Sequence, residues 1–301
     1  MALTDYIITF GQFMQQRHGE RVHKLALNAG FTCPNMDGSK GRGGCTYCNN
    51  ASFSPGARKA PDIAAQIEAG RQVIRKRTRA QKYLAYFQSY TNTYAEVERL
   101  RELYDAALAE PDVIGLSIGT RPDCVPDAVL ELLQEYQREG YEIWLELGLQ
   151  SAHDDTLRRV NRCSDFADYR DAVTRAKARG LQLCTHLIIG LPGETRAHNL
   201  ETLAHVLALG TDALKLHPLH VVKGTALANE WRRGDYTPLT LDEYIAIAVD
   251  LIQHAPPQMI YHRMTATAGA QLLLAPAWCN KKWLVLNRLE QALAARCPKR
   301  P

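Results

Sequence analysis

The residues best equipped for chemistry in this chain are three cysteines close together near its start. Cys33, Cys45 and Cys48 fall within the run NAGFTCPNMDGSKGRGGCTYC, positions 28–48. Cys45 and Cys48 form a C-x₂-C pair, a spacing that sets two thiolates at neighbouring metal positions. Eleven residues separate Cys33 from Cys45, and Gly38, Gly41, Gly43 and Gly44 among them let the loop wrap a bulky inorganic core. An iron–sulfur cluster ordinarily takes four cysteines, and no fourth lies nearby in sequence. Three protein ligands leave one iron open, as a catalytic zinc keeps one open position. An open iron can bind a small molecule and pass it an electron. On spacing alone two other readings stand beside this one. One is a structural zinc completed by a histidine, His23 or a more distant one; the other is a set of unrelated buried thiols.

The elements that must hold this loop follow from the hydrophobic pattern. Short apolar runs at 22–27, 83–87, 113–118, 142–147, 181–189 and 213–216 alternate with amphipathic stretches near 62–79, 95–109, 126–139, 153–178 (broken), 196–209 and 241–254. That alternation is the signature of βα units around a parallel sheet. Asp62, Asp154 and Asp155 stand at helix starts, and Thr240 with Glu243 fits a capping box. Six units fall short of the eight of a complete barrel. The fold expected is α/β, a partial (β/α)₆ TIM-type barrel with a C-terminal extension. The corresponding divisions are an N-terminal segment 1–17, a core 18–257 and an extension 258–301. The cysteine loop follows the first strand, at the strand end where barrel sites are built.

Bulk properties narrow the classes. The chain has 301 residues, 46% hydrophobic and 23% charged, with a formal net charge of +4, a soluble globular composition that permits an anionic partner without requiring one. No run of about 18 apolar residues suggests a membrane span. The N-terminus lacks a basic start, a long apolar stretch and a small-residue cleavage site. A cytoplasmic location is the expectation, and eight cysteines there read as thiols or ligands rather than disulfides.

The cysteine loop resembles the cluster motif of radical S-adenosylmethionine (SAM) enzymes, in the long-spaced form of Elp3-like proteins. Across nearly its whole length the chain is similar to the YhcC/YtqA family. The matching blocks are 30–53, KYLAYFQSYTNTYAEV (82–97), GLSIGTRPDCVPD (115–127), YEIWLELGLQSAHDDTL (141–157), HLIIGLPGET (186–195), LKLHPLHVVKGT (214–225) and IYHRMTATA (260–268). The resemblance implies a [4Fe–4S] cluster on Cys33, Cys45 and Cys48 whose open iron chelates SAM. Reductive cleavage of SAM would then give a 5′-deoxyadenosyl radical. It also implies an electron donor of the flavodoxin or ferredoxin kind. Tyr47 matches the aromatic beside the SAM adenine, or is a loop-packing tyrosine. Gln88 stands where many relatives carry a Gly-Gly-Glu stretch, whose glycines this chain lacks. Glu146, Gln150 and Ser151 close the fourth strand, where polar groups reach the ribose or methionine. A charge such as Glu146 inside an apolar strand needs a partner. Arg162 offers a guanidinium to the SAM carboxylate, or is a solvated helix-end residue. Gly190 opens the glycine turn 190–194, which resembles the turn lying against adenine.

On the substrate side the polar candidates are His217, His220, Lys223, Tyr261, His262 and Arg263, with core packing as the alternative role for the histidines. Cys124 and Cys279 are either packed thiols or radical-quenching ones, and Cys184 reads as a small core hydrophobe. The stretch 71–82 carries six basic residues and no acidic one, a surface for RNA phosphates or a solvated helix face. Some family members are implicated in removing a carboxymethyl group from carboxymethylaminomethyluridine at the tRNA wobble position. tRNA is therefore the implied partner. A non-enzymatic metal-binding adaptor on the same scaffold is the competing class.

Overall fold

Strands buried on both faces read as continuous apolar runs, because helices cover one side and the barrel interior the other. The computed structural model, which describes residues 2–49, 62–78 and 80–300, places strands where those runs fall. In chain order they are β1 (Ile8–Thr9), β2 (Val22–Leu27), β3 (Lys82–Phe87), β4 (Val113–Thr120), β5 (Glu142–Gln150), β6 (Gln182–Ile189), β7 (Ala213–Pro218), β8 (Val221–Val222), β9 (Ile260–Arg263) and β10 (Leu273–Ala275). The helices are α1 (Phe10–His18), α2 (Ile63–Thr78), α3 (Val97–Leu108), α4 (Asp127–Arg138), α5 (Asp154–Arg159), α6 (Phe166–Ala178), α7 (Arg196–Ala208), α8 (Ala226–Arg233), α9 (Leu241–His254) and α10 (Lys282–Arg296).

Eight strands form one parallel sheet in the order β1-β9-β7-β6-β5-β4-β3-β2. This is an open barrel of six βα units widened by two strands on one edge. β1 comes from the N-terminal segment and β9 from beyond residue 257, so both chain ends join the sheet. The break expected within 153–178 separates α5 from α6. Its backbone turns through Asn161 and Cys163, both left-handed at φ 52° and 50°. α9 starts on the expected box: Thr240 accepts from the Glu243 backbone at 3.3 Å, and Glu243 accepts from Thr240 at 2.8 Å. The C-terminal extension from 258 carries α10, which packs on α9.

Strand alternation sends every second side chain into the barrel, and these inward residues form layers. At the N-terminal end Phe10, Met14, Leu84, Trp144, Cys184 and Ile260 make an apolar plug. Phe10 and Trp144 meet edge to face at 5.4 Å. One layer up the inward positions are Lys24, Tyr86, Ser117, Glu146, His186 and Lys215. The layer above them opens into a cavity. Gly115 shows how tightly β4 and β5 approach: a Cβ there would lie 1.9 Å from the Glu142 carbonyl oxygen. Gly115→Ala should therefore destabilise the protein by about 3 kcal/mol or more. Gly11→Ala, on a helix with open space around it, should be neutral or stabilising by up to about 1 kcal/mol. Urea denaturation of the pair checks the packing; equal effects would refute it.

Candidate active site

The cysteine loop is built by its own backbone. The Cys33 carbonyl accepts from Met36 at 2.7 Å and from Asp37 at 3.1 Å, and the Pro34 carbonyl accepts from Lys40 and Gly41. The amide nitrogen of Cys48 donates to the Cys45 carbonyl at 3.0 Å. The corner between α5 and α6 backs the loop. Asn35 donates to the Asn161 carbonyl, and Asn161 donates to the Gly44 carbonyl at 2.8 Å. Arg121 donates to the carbonyls of Arg162 and Cys163 at 2.9 and 2.8 Å, while its other edge pairs with Asp123. Gly41 is needed where it stands, since a Cβ would meet Asn35 Oδ1 at 2.3 Å and Cys163 Sγ at 2.7 Å.

Burial pushes the Cys48 thiol up to about 12, and the neighbouring Cys45 and Cys33 sulfurs push the same way. A bound cation would offset that cost and hold the Cys48 sulfur as thiolate. Among the described residues, the trio of His, Cys, Asp and Glu ligand atoms lying within 4.8 Å of one another is Glu146, Cys184 and His186. His23 alternates to the opposite face of β2 from Lys24, at the strand's far end, and does not complete a zinc site. Two groups also point at Cys45 Sγ, Asn35 Nδ2 at 3.6 Å and Arg162 Nη1 at 4.0 Å. Arg162 Nη2 donates to the Gly148 carbonyl at 2.5 Å, and its buried Nε has no partner among the described residues. That orphan donor beside the thiols fits an anionic group of a bound cofactor.

The cavity beside Cys48, about 200 Å³, is lined by Tyr47, Gln88, Gln150, His217, His220 and Arg263, with Tyr86, His186 and Lys215 below. Gln150 reaches it through a bulge: the register slips between Gly148 and Gln150 against β6, and Gln150 itself is left-handed at φ 78°. Burial drives His217 well below the ordinary imidazole range, with Arg263 the leading charge acting on it; His220 falls for the same reasons. Burial and then Lys215 lower His186 to about 4.

Beneath the cavity Glu146 is fully buried in an ionic cluster. It accepts from Lys215 at 2.6 Å, from Ser117 at 2.5 Å and from Lys24, and it meets His186 Nε2 at 2.7 Å. Burial alone would raise its carboxyl; the two ammonium groups outweigh that and hold it well below the usual range. Lys215 also donates to the Tyr86 hydroxyl at 2.6 Å. The trio with Cys184 is thus occupied by ammonium groups and is not a metal site.

The remaining residues singled out by sequence lie elsewhere. Ser151 ties the end of β5 to the glycine turn by donating to Glu194. Gly190, left-handed at φ 96°, accepts from the Tyr236 hydroxyl at 2.9 Å. Tyr261 is buried in the sheet–helix core. His262 sits between the rings of Phe10 and Trp144 at 4.1 and 4.6 Å, with Nδ1 3.0 Å from Lys24. Cys124, Cys184 and Cys279 are buried and do not line the cavity. Of the basic stretch, Arg71 pairs with Glu68 and Glu110, Arg75 with Asp112 and Lys82 with Glu20. Arg79 and positions 50–53 of the first matching block lie outside the described residues. This stretch ends at the start of β3, about 20 Å of strand from the cavity. Lys24, Tyr86, His186 and Lys215 were not singled out by sequence, although each is a polar residue at an inward strand position, the same signal that marked Glu146.

This arrangement is matched by known families. Residues 38–206 match the radical SAM superfamily model and residues 211–295 the Radical_SAM C-terminal domain. The chain is 50% identical over 293 residues to YhcC of Escherichia coli (strain K12), covering 97% of this chain and 94% of that protein. It is 38% identical to YtqA of Bacillus subtilis (strain 168), covering 96% and 89%. A tRNA uridine(34) acetyltransferase of Dehalococcoides mccartyi (strain CBDB1) is 30% identical over 56% of this chain, which spans 36% of that protein. Among solved structures, the archaeal Methanocaldococcus infernus Elp3 superposes with a TM-score of 0.68 at 20% identity, covering 92% of this chain and 64% of that one. The chain belongs to the radical SAM superfamily and, within it, to the family of YhcC and YtqA. Members of this superfamily use a [4Fe–4S] cluster and SAM. No helix among the described residues is long and apolar enough to cross a membrane.

Glu146→Gln strands two ammonium groups in the barrel, at a cost of about 3–5 kcal/mol. Adding Lys215→Met should recover part of that loss. Urea denaturation of the single and double variants measures both; a cost below about 1 kcal/mol for the single change would show that the cluster does not hold the barrel together.

Proposed function

We propose that this chain is a radical SAM enzyme in which Cys33, Cys45 and Cys48 hold the cluster. SAM and substrate then meet in the cavity beside Cys48, and the substrate is the wobble uridine of tRNA. The observation that carries the reading is the cavity itself, which Cys48 lines together with Arg263, His217 and His220. When bound, cluster and SAM supply a 5′-deoxyadenosyl radical able to take a hydrogen atom from a substrate carbon. The chain's own residues hold and shield. Arg162 presents its free Nε next to Cys45 for the cofactor carboxylate. Tyr47, Gln88 and Gln150 line the wall where the nucleoside part would lie. Ser151 and Glu194 fix the β5 exit against the glycine turn, and the histidines, held neutral, can donate or accept hydrogen bonds without repelling a cation.

The tRNA part rests on kinship with a protein named for tRNA uridine(34), and the reaction proposed is loss of the carboxymethyl group from carboxymethylaminomethyluridine to leave aminomethyluridine. SAM, cleaved to methionine and 5′-deoxyadenosine, would be the oxidant; the carboxymethyl carbon would lose a hydrogen atom and an electron to give an imine, and water would release its two carbons as glyoxylate. The paired basic residues of α2 face the other end of the barrel, so RNA would approach the strand C-terminal mouth. A flavodoxin- or ferredoxin-like donor would supply the electron.

Anaerobically reconstituted protein given SAM and dithionite should release 5′-deoxyadenosine, and Cys48→Ala should abolish the release. A fully loaded protein that releases none is not a radical SAM enzyme. Separately, tRNA from a strain lacking the gene should accumulate carboxymethylaminomethyluridine at the expense of aminomethyluridine. An unchanged nucleoside profile would remove the tRNA substrate while leaving the cofactor chemistry standing.

A further inference from the structure

The cavity has a charge imbalance that nothing in the cluster or cofactor reading uses. Its described lining residues include Lys215 and Arg263 but no aspartate or glutamate. Lys215 and Arg263 are direct cross-strand partners on β7 and β9, and like charges so placed repel. The two are compensated very differently. Lys215 gives its charge to Glu146 at 2.6 Å and a hydrogen bond to Tyr86. Glu146 is then saturated by Lys24, Lys215, Ser117 and His186, and it lies one layer below. Arg263, half-buried, makes no hydrogen bond or ion pair with any described residue. The neighbouring imidazoles cannot neutralise it, since neither carries a negative charge.

A guanidinium is a planar fork matched to two oxygens of one anion, and a half-buried fork with no acid nearby costs free energy until an anion arrives. We propose that Arg263 is the carboxylate receptor of this cavity and binds a carboxylate borne by the substrate. This rests on reading the cavity as the substrate site, and it narrows the substrate class: the molecule carries a carboxylate close to the carbon that loses hydrogen. A carboxylate has two conceivable sources here, the substrate and the methionine part of SAM. Arg162, with Nη1 4.0 Å from Cys45 Sγ and its Nε unpartnered among the described residues, is the better placed for the second, which leaves Arg263 for the first.

The test uses cluster-reconstituted, SAM-loaded protein and two small probes followed by ligand-observed NMR, carboxyl-labelled N-acetylglycine and neutral N-acetylglycinamide. The wild type should favour the carboxylate by about tenfold or more. Arg263→Gln should erase that preference, and Arg263→Lys, which keeps charge but loses the fork, should retain part of it. No preference in the wild type, or a preference that survives Arg263→Gln, overturns the proposal. So does loss of SAM retention by Arg263→Gln in equilibrium dialysis, which would give the guanidinium to the cofactor. A parallel measurement compares anticodon stem-loops bearing carboxymethylaminomethyluridine or aminomethyluridine. Failure to bind either RNA, with the N-acetylglycine preference intact, would sink the tRNA reading and leave the receptor in place.

Discussion

One buried carboxylate determines how this barrel can be filled. Glu146 lies at mid-height with no exposure to water, and an isolated charge there would be prohibitively costly. It is tolerated because β2, β6 and β7 each turn a basic or imidazole side chain inward at the same height. That single requirement fixes register across the sheet. Slipping β7 by one residue would send Lys215 into the helix layer and bring Leu216 to the carboxylate. Apolar packing closes the barrel below this level, and above it the inward residues become small or polar, leaving space. The ionic layer is therefore the floor on which the cavity rests.

The cysteine loop depends on a second constraint, at the opposite rim of the cavity. It has little regular structure of its own and borrows rigidity from the corner between α5 and α6. Asn161 is left-handed there, which frees backbone carbonyls for Asn35 and Arg121. The same corner delivers Arg162 to the sulfur of Cys45. Strain at that turn thus coincides with the position of a cofactor-facing donor, as strained residues at functional sites often do. Floor and rim together put Cys48 on the same small cavity as His217 of β7 and Arg263 of β9.

Much of this was legible in the sequence. The six βα units fall where hydrophobic runs placed them, since buried parallel strands are long enough to read without their neighbours. The cysteine loop stood out because its glycines and spacing are local properties. β1 and β9 were not legible: two and four residues long, they become strands only because β7 offers hydrogen-bond partners to β9 and β9 in turn offers them to β1. Tyr261, His262 and Arg263 were grouped on one side by their chemistry. Alternation forbids that in a strand, and the structure sends Tyr261 to the helix layer, His262 to the apolar plug and Arg263 to the cavity, helped by a register shift between Leu214 and Lys215. Lys24, His186 and Lys215 became meaningful only once a common height in the barrel was known, which no single strand reveals.

The account stands on a metal core bound by three thiols, with one iron left for a small molecule. Mössbauer spectra of the anaerobic, iron-57-enriched protein, recorded before and after SAM is added, address this directly. The expected result is one iron in four whose spectrum changes on addition, the other three staying as they were. Four irons indifferent to SAM, or zinc held tightly by the same thiols in place of iron, would contradict it.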